Sequence, residues 1–285
     1  METFKMPFRN RAFNPLRLPL PSPEFDFVKT LKAKGKLKGF ETVVDSRVED
    51  LFRVKALVGL GGNHAILSNQ LKKATDTEHL PLSPASHFYM RENRLRLVGA
   101  VHEYFHERGF PDSEIFAFTL IHQKWFVAGG SLSMQSAAKI KAKLLRYLER
   151  AGVTAADGLL FAGLHASFDD TGYQLHFHGI VAGDKVRALR KLLGKFGFVS
   201  TERIYRPLKI GKLVNPARQI SYCLQSWWPH EPAEVPFGGK RRRLPPNAHA
   251  EFLMWMANQN LLELVVMSGM RIGKNGIEST RSPHS

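Results

Sequence analysis

Cysteine, long apolar runs and acidic residues are all scarce in this 285-residue sequence. Cys223 is its only cysteine, so the chain can form neither an internal disulfide nor a zinc site built from several thiolates. No apolar run approaches the roughly 20 residues needed to cross a bilayer, and prolines and arginines interrupt the first 26 residues before any signal-peptide core. These absences predict a cytoplasmic protein with no membrane partner.

The shortage of acidic residues leaves a strong positive charge, with 25 Asp and Glu against 41 Lys and Arg and a net charge of +16. Most of this excess is local, because residues 184–243 contain 14 basic and 4 acidic residues and so carry +10. Basic side chains that replace condensed counterions on a phosphate backbone add salt-sensitive affinity. No basic amphipathic helix lies beside a lipidation signal, so nucleic acid is the preferred partner.

Composition and periodicity divide the chain into five segments. We predict an extended arm over 1–26, a mainly helical accessory region over 27–110, a domain over 111–230 whose motifs, described below, indicate a catalytic role, a basic Pro/Gly-rich linker over 231–247, and a C-terminal helix and tail over 248–285. The apolar spacing of the helical region is that of ordinary helix packing, which we favour over an origin-binding role.

The segment from residue 111 onward alternates strand and helix patterns in the order β-α-β-β-α-β-α. We predict strands at 115–121, 159–168, 173–182 and 199–210, and helices at 133–150, 185–196 and 216–227. A further helix is predicted at 248–267. The order indicates an α+β fold of the split βαβ (ferredoxin/RRM-like) type, with an antiparallel sheet, helices on one face, and helical N-terminal and C-terminal extensions.

A cluster of histidines is the strongest chemical signal. His176 and His178 are two apart in a predicted strand, so both imidazoles point to one face. If residues 169–172 form the turn before this strand, His165 lies opposite His176 and Gly163 opposite His178. Three imidazoles on one face predict a divalent-metal site that favours Mn, Co, Ni or Zn, with Mg acceptable when a substrate phosphate also binds.

Tyr222 is a candidate nucleophile. Asn215 and Pro216 are typical of a helix start, which places Tyr222 about two turns into a helix with Arg218 and Gln225 on the same face. A tyrosine hydroxyl has a pKa near 10, so it attacks a phosphate only when its proton is removed and the phosphate is polarised. An arginine and a metal ion could together supply that activation.

Three motifs in order resemble those of plasmid rolling-circle replication initiator (Rep) proteins, members of the HUH endonuclease superfamily. The stretch 116–120 (FAFTL) is similar to the first motif, 176–178 (HFH) to the second, and 222–225 (YCLQ) to the tyrosine box. The resemblance covers about residues 112–230. It implies a site-specific single-strand endonuclease and strand transferase that nicks single-stranded or hairpin DNA at a replication origin.

The resemblance also implies roles for individual residues. Tyr222 would form a 5′-phosphotyrosine intermediate, and His165, His176 and His178 would bind Mn²⁺ or Mg²⁺. Host replication proteins would be further candidate partners. The residues expected to hold the DNA backbone are Lys185, Arg187, Arg190, Lys191, Arg203, Arg206, Lys209 and Arg218.

Two departures from the family pattern leave alternatives open. His165 stands where many plasmid initiators have a glutamate, and Gln225 stands where the tyrosine box usually has a lysine. A relaxase or single-tyrosine transposase of the same superfamily would share the site. A non-catalytic DNA-binding protein that controls copy number would keep the fold without cleavage.

Overall fold

The computed structural model describes residues 18, 41–76, 83–232, 242–274 and 276–280. The predicted arm at 1–26, apart from Leu18, and residues 233–241 of the predicted linker lie outside this range. Among the described residues, no helix combines the length and apolar character needed to cross a membrane.

In the described part of the chain, three helices precede the sheet: α1 (Val43–Leu57), α2 (Gly62–Asp76) and α3 (His87–Glu107). Thr42 and Asp45 form a reciprocal capping box at the start of α1. Ser86 caps α3, and the Asp50 carboxylate accepts the backbone N–H groups of His87 and Phe88 at 2.6 and 3.1 Å. A carboxylate from one helix therefore satisfies the first N–H groups of another, which fixes α1 against the start of α3.

The sheet is antiparallel, with five strands in the order β4-β1-β3-β2-β5. Its strands are β1 (Ile115–Ala128), β2 (Leu160–Phe168), β3 (Gly172–Ala182), β4 (Leu208–Lys212) and β5 (Val265–Ser268). Between them lie α4 (Ala137–Arg150), α5 (Lys185–Arg190), α6 (Pro216–Tyr222) and α7 (Pro246–Ala257). A separate hairpin of β6 (Met270–Ile272) and β7 (Ile277–Ser279) follows. The predicted α+β class with an antiparallel sheet is confirmed.

Helices cover both faces of this sheet, so the prediction of helices on one face is wrong. On one face, Tyr147 of α4 packs on Phe198, which contacts Trp125, and Trp125 contacts Phe177 of β3. On the opposite face, the end of α6 lies directly against Gly163 of β2. The end of α6 can approach this face because Gly163 has no side chain and leaves room for another backbone.

Several element boundaries differ from the predictions. The expected strand at 199–210 is reduced to β4, and α5 ends at Arg190 because the chain turns there and reaches positive φ at Gly194 and Phe196. The expected helix at 248–267 is also wrong, because α7 ends at Ala257. The apolar run that follows forms β5, which pairs with β2 at the edge of the sheet. A continuous apolar stretch does not distinguish a buried helix from a buried strand.

Candidate metal centre and tyrosine

The three histidines come together in the predicted register. β2 pairs with β3 so that His165 lies opposite His176 and Gly163 opposite His178. Donor atoms of His165, His176 and His178 all lie within 4.8 Å of one another, as metal binding requires. The turn at 169–171 fixes this register, because the Asp169 carboxylate accepts hydrogen bonds from the backbone N–H groups of Thr171 and Gly172, both at 3.2 Å. The predicted pairing is therefore confirmed.

Neighbouring groups orient two of the imidazoles. Nδ1 of His176 donates to the Gln174 carbonyl at 3.0 Å, and Nδ1 of His178 lies 2.9 Å from the Thr119 hydroxyl. Hydrogen bonds at Nδ1 direct Nε2 toward a ligand, as in most histidine metal sites. The two Nε2 atoms lie 2.9 Å apart, so both can contact one cation. The sequence interpretation missed this role of Thr119, although the pairing of β1 with β3 places it directly opposite His178.

Tyr222 lies at the end of α6, beside the histidines. The Asn215 side chain accepts the Arg218 backbone N–H at 3.1 Å and Pro216 occupies the first turn, as expected for a helix start. The Tyr222 ring stacks on His165 with centroids 5.3 Å apart and meets the edge of His178 at 4.6 Å. The structure therefore brings together all four residues that the sequence analysis selected for chemistry.

Gly163 sets the distance between α6 and the sheet. A methyl group added at Gly163 would lie 1.5 Å from the carbonyl oxygen of Cys223, the residue that follows Tyr222. No side chain fits at this position unless the backbone moves. The sequence analysis placed Gly163 opposite His178 and gave it no further role, whereas the structure shows that Cys223 lies directly against it.

Replacing Gly163 with alanine should push the end of α6 away from the sheet. We expect the free energy of unfolding to fall by about 1–3 kcal/mol, as for other overpacked positions. Because Tyr222 is adjacent to the displaced residue, any reaction that uses Tyr222 and the histidines together should slow about 100-fold. Chemical denaturation and a DNA-cleavage assay would measure the two effects.

The control variant is Gly211→Ala on β4, where an added methyl group meets no atom within 4 Å. It should leave both cleavage and stability nearly unchanged. Full cleavage by Gly163→Ala would show that the approach of α6 to β2 is not needed for chemistry.

The end of α6 changes the expected setting of two residues. The helix predicted over 216–227 stops at Tyr222, so Gln225 lies in the following turn, where its backbone N–H donates to the Tyr222 carbonyl at 3.3 Å. Gln225 does not share a helical face with Tyr222. Burial raises the pKa of the neighbouring Cys223 thiol, which therefore stays protonated and does not compete as a nucleophile.

Lys185 does not belong to a DNA-binding surface, and its assignment there is corrected. Its side chain is buried, and Nζ donates to the carbonyls of Val153 at 2.7 Å and Ala156 at 2.8 Å. The ammonium group thus satisfies carbonyls of the turn that follows α4. A lysine held in this way cannot reach a phosphate.

The other predicted DNA-binding side chains are exposed but lie in two groups. The first group follows the end of β3 that is remote from the histidines and contains Arg187, Arg190 and Lys191. The second group lies on β4, on α6 and in the segment before β4, and contains Arg203, Arg206, Lys209 and Arg218. Lys209 pairs with Thr119, the cross-strand partner of His178, so it points to the histidine face.

Arg203 is partly engaged within the protein. It forms an ion pair with Asp169 and lies 3.9 Å from the centre of the Phe126 ring. Arg206 lies over the ring of exposed Tyr205 at 5.5 Å. These contacts hold cationic and aromatic groups side by side, an arrangement that suits unpaired bases and phosphates.

The helical region is joined to the site through a buried arginine. Arg53 of α1 donates to the carbonyls of Ala85 at 2.6 Å and Ser226 at 2.7 Å. The Ser226 hydroxyl in turn lies 2.8 Å from Nδ1 of His87 at the start of α3. Because Ser226 is four residues beyond Tyr222, the N-terminal helices help to hold the chain that carries the tyrosine.

The fold and the site together define an α+β protein with three histidines and a tyrosine on one face of an antiparallel sheet. Searches against protein-family profiles, curated protein sequences and solved structures find no match to this chain. Its function is therefore inferred from the geometry and chemistry of the site.

Proposed function

We propose that this protein nicks one strand of DNA at a replication origin and initiates rolling-circle replication. The observation that carries the proposal is the position of Tyr222, whose ring contacts both His165 and His178. A nucleophile beside a set of metal ligands, next to exposed cations, suits phosphoryl transfer. The strand order β4-β1-β3-β2, with α4 and α5 as connections, supports the split βαβ arrangement that the resemblance to HUH endonucleases implies.

In the proposed reaction, the Tyr222 oxygen attacks the phosphorus of the scissile phosphodiester. The phenolic proton is lost, a bond forms between the tyrosine oxygen and phosphorus, and the bond from phosphorus to the 3′ oxygen breaks. The 3′ oxygen takes up a proton and leaves as a 3′-OH that can prime synthesis. The 5′ end stays attached as a phosphotyrosine, so the reverse attack by a 3′-OH rejoins a strand without ATP.

The histidine donors fit a divalent cation. They supply three imidazoles on one face, and two Nε2 atoms lie 2.9 Å apart with their rings fixed by Gln174 and Thr119. This donor set favours Mn²⁺, Co²⁺, Ni²⁺ or Zn²⁺ over Mg²⁺. A bound cation would polarise the scissile phosphate and stabilise the charge that develops on its oxygens.

Exposed cations near this face would hold the DNA. Lys209 lies on the strand next to β1 and points to the same face as the histidines, and Arg218 is one turn before Tyr222. Phosphate contacts from these side chains would fix the position of the strand over Tyr222 without reading its sequence.

The test uses labelled single-stranded fragments that tile the DNA element encoding the protein. Each fragment is incubated with the full chain in two parallel reactions, one with Mn²⁺ and one with excess EDTA. The products of both reactions are separated on denaturing gels. We expect label to migrate at the mass of the protein for one fragment only, and only when metal is present. An adduct that forms equally well in EDTA would contradict the metal-dependent mechanism.

Two other functions would give distinct results in the same assay. A relaxase or single-tyrosine transposase would form the same adduct at a transfer origin or an element end, so the sequence of the nicked fragment separates it from an initiator. A copy-control protein would bind DNA with no adduct. Gln225, where the tyrosine box usually has lysine, favours the copy-control protein over the relaxase or transposase.

A further inference from the structure

A second set of metal-binding groups lies where α3 meets β1. His102 and His106 are four residues apart near the end of α3, so their side chains share one helical face. Asp112 follows a short connection, in the 3₁₀ turn Asp112–Glu114 that leads into β1. The three side chains converge on one point, although the sequence analysis gave the two histidines no functional setting.

The distances between the donor atoms form a nearly equilateral triangle. Nε2 of His102 and Nε2 of His106 each lie 3.0 Å from Oδ1 of Asp112, and the two nitrogens lie 3.1 Å apart. In a tetrahedral site with bonds of about 2.0–2.1 Å, neighbouring donors are about 3.3 Å apart. All three atoms can therefore contact one ion with very little movement.

Hydrogen bonding alone explains this triangle less well. If both imidazoles donate to the same carboxylate oxygen, two N–H groups must lie side by side at the 3.1 Å separation of their nitrogens. A cation removes this conflict, because each neutral imidazole then offers a lone pair and the carboxylate offers its charge.

We propose that His102, His106 and Asp112 bind a transition-metal cation, with Zn²⁺ as the preferred ion. Two imidazoles and a carboxylate are a common zinc donor set, and they leave a fourth position for water or another ligand. The side chains of His106 and Asp112 are 43% and 47% exposed, so solvent reaches the ion. The ion would link the end of α3 directly to the start of β1.

This site is separate from the histidine and tyrosine site. Ile115, three residues after Asp112, lies opposite Ala182, which is four residues beyond His178 on β3. At about 3.3 Å per residue, the end of β3 beside Ile115 lies about 13 Å from His178 along the strand. An ion at α3 therefore cannot contact the phosphate that Tyr222 attacks, and its binding is independent of the proposed nicking activity.

The experiment counts Zn²⁺ ions bound to metal-free full-length protein by calorimetric titration and by elemental analysis after dialysis. We expect two ions in the wild type, one in His106→Ala and one in His176→Ala, with none in the double variant. His106 is exposed on a helix, so alanine should not disturb folding. Asp112→Asn keeps the shape of the side chain and should weaken the affinity of this site by more than the 10- to 100-fold typical of outer-shell losses.

The matched control is Glu107→Ala, which removes an exposed carboxylate one residue beyond His106 and should retain two ions. The proposal is overturned if His106→Ala and Asp112→Asn bind as many Zn²⁺ ions as the wild type with equal affinity. His106→Ala is expected to lose one ion and still nick DNA at the wild-type rate, a result that supports both proposals. Failure of nicking in the wild type would not change the count at this site.

Discussion

Tyr222→Phe is expected to abolish the covalent adduct with DNA and to slow strand cleavage by about 10⁴-fold or more, the scale seen when a nucleophile is removed. The substitution deletes only the phenolic oxygen. The ring keeps its stacking on His165 and its edge contact with His178, so α6 should stay in place. DNA binding should be unchanged, because the exposed cations that we propose to contact phosphate are not altered. Adduct formation on denaturing gels and binding by fluorescence anisotropy would separate the two properties.

The matched control for this variant is Tyr205→Phe. Tyr205 is exposed in the segment before β4, and Tyr205→Phe removes one hydroxyl while it keeps the aromatic ring that lies beside Arg206. It should form the adduct at the wild-type rate. If Tyr222→Phe still becomes labelled, another residue is the nucleophile. If neither the wild type nor the variant is labelled and both bind the DNA, the protein acts by binding, as a copy-control protein would.

The histidine cluster was predictable from the sequence because a single turn determines it. Once residues 169–172 are recognised as a turn, the alternation of a hairpin fixes which residues face one another, and a slip of one residue would separate His165 from His176. The position of Tyr222 needed more information. Motif order indicated that it acts with the histidines, but only the packing of α6 on Gly163 brings its ring to them.

Other features depended on contacts between residues distant in sequence. Lys185 is a basic residue in a basic segment, which predicted a contact with DNA. Its side chain is instead buried against the carbonyls of Val153 and Ala156, which gives it a structural role. The run that forms β5 is apolar enough for a buried helix or a buried strand, and the free edge of β2 decides between them. Charge and hydrophobicity are local properties, whereas these outcomes depend on neighbours that local patterns do not specify.

His176→Ala should remove metal-dependent cleavage while leaving DNA binding intact. His176 lies opposite His165 in the strand pairing, and its Nε2 lies 2.9 Å from Nε2 of His178, so it is one of the three proposed ligands. Loss of one of three protein ligands should weaken Mn²⁺ binding by well over the 10- to 100-fold cost of an outer-shell change. Cleavage at a fixed Mn²⁺ concentration should then fall by at least a similar factor. A titration of cleavage rate against Mn²⁺ would measure both the affinity and the maximal rate.

His64→Ala provides the comparison, because it removes a histidine from α2 and touches neither histidine cluster. It should follow the wild-type titration curve. A variant that is merely misfolded would lose DNA binding together with cleavage, whereas a variant that lacks a metal ligand would keep its DNA affinity and require more Mn²⁺. Identical Mn²⁺ curves for wild type and His176→Ala would mean that the ion needed for cleavage binds elsewhere. The orientation of His178 by Thr119 would then need a role unrelated to metal binding.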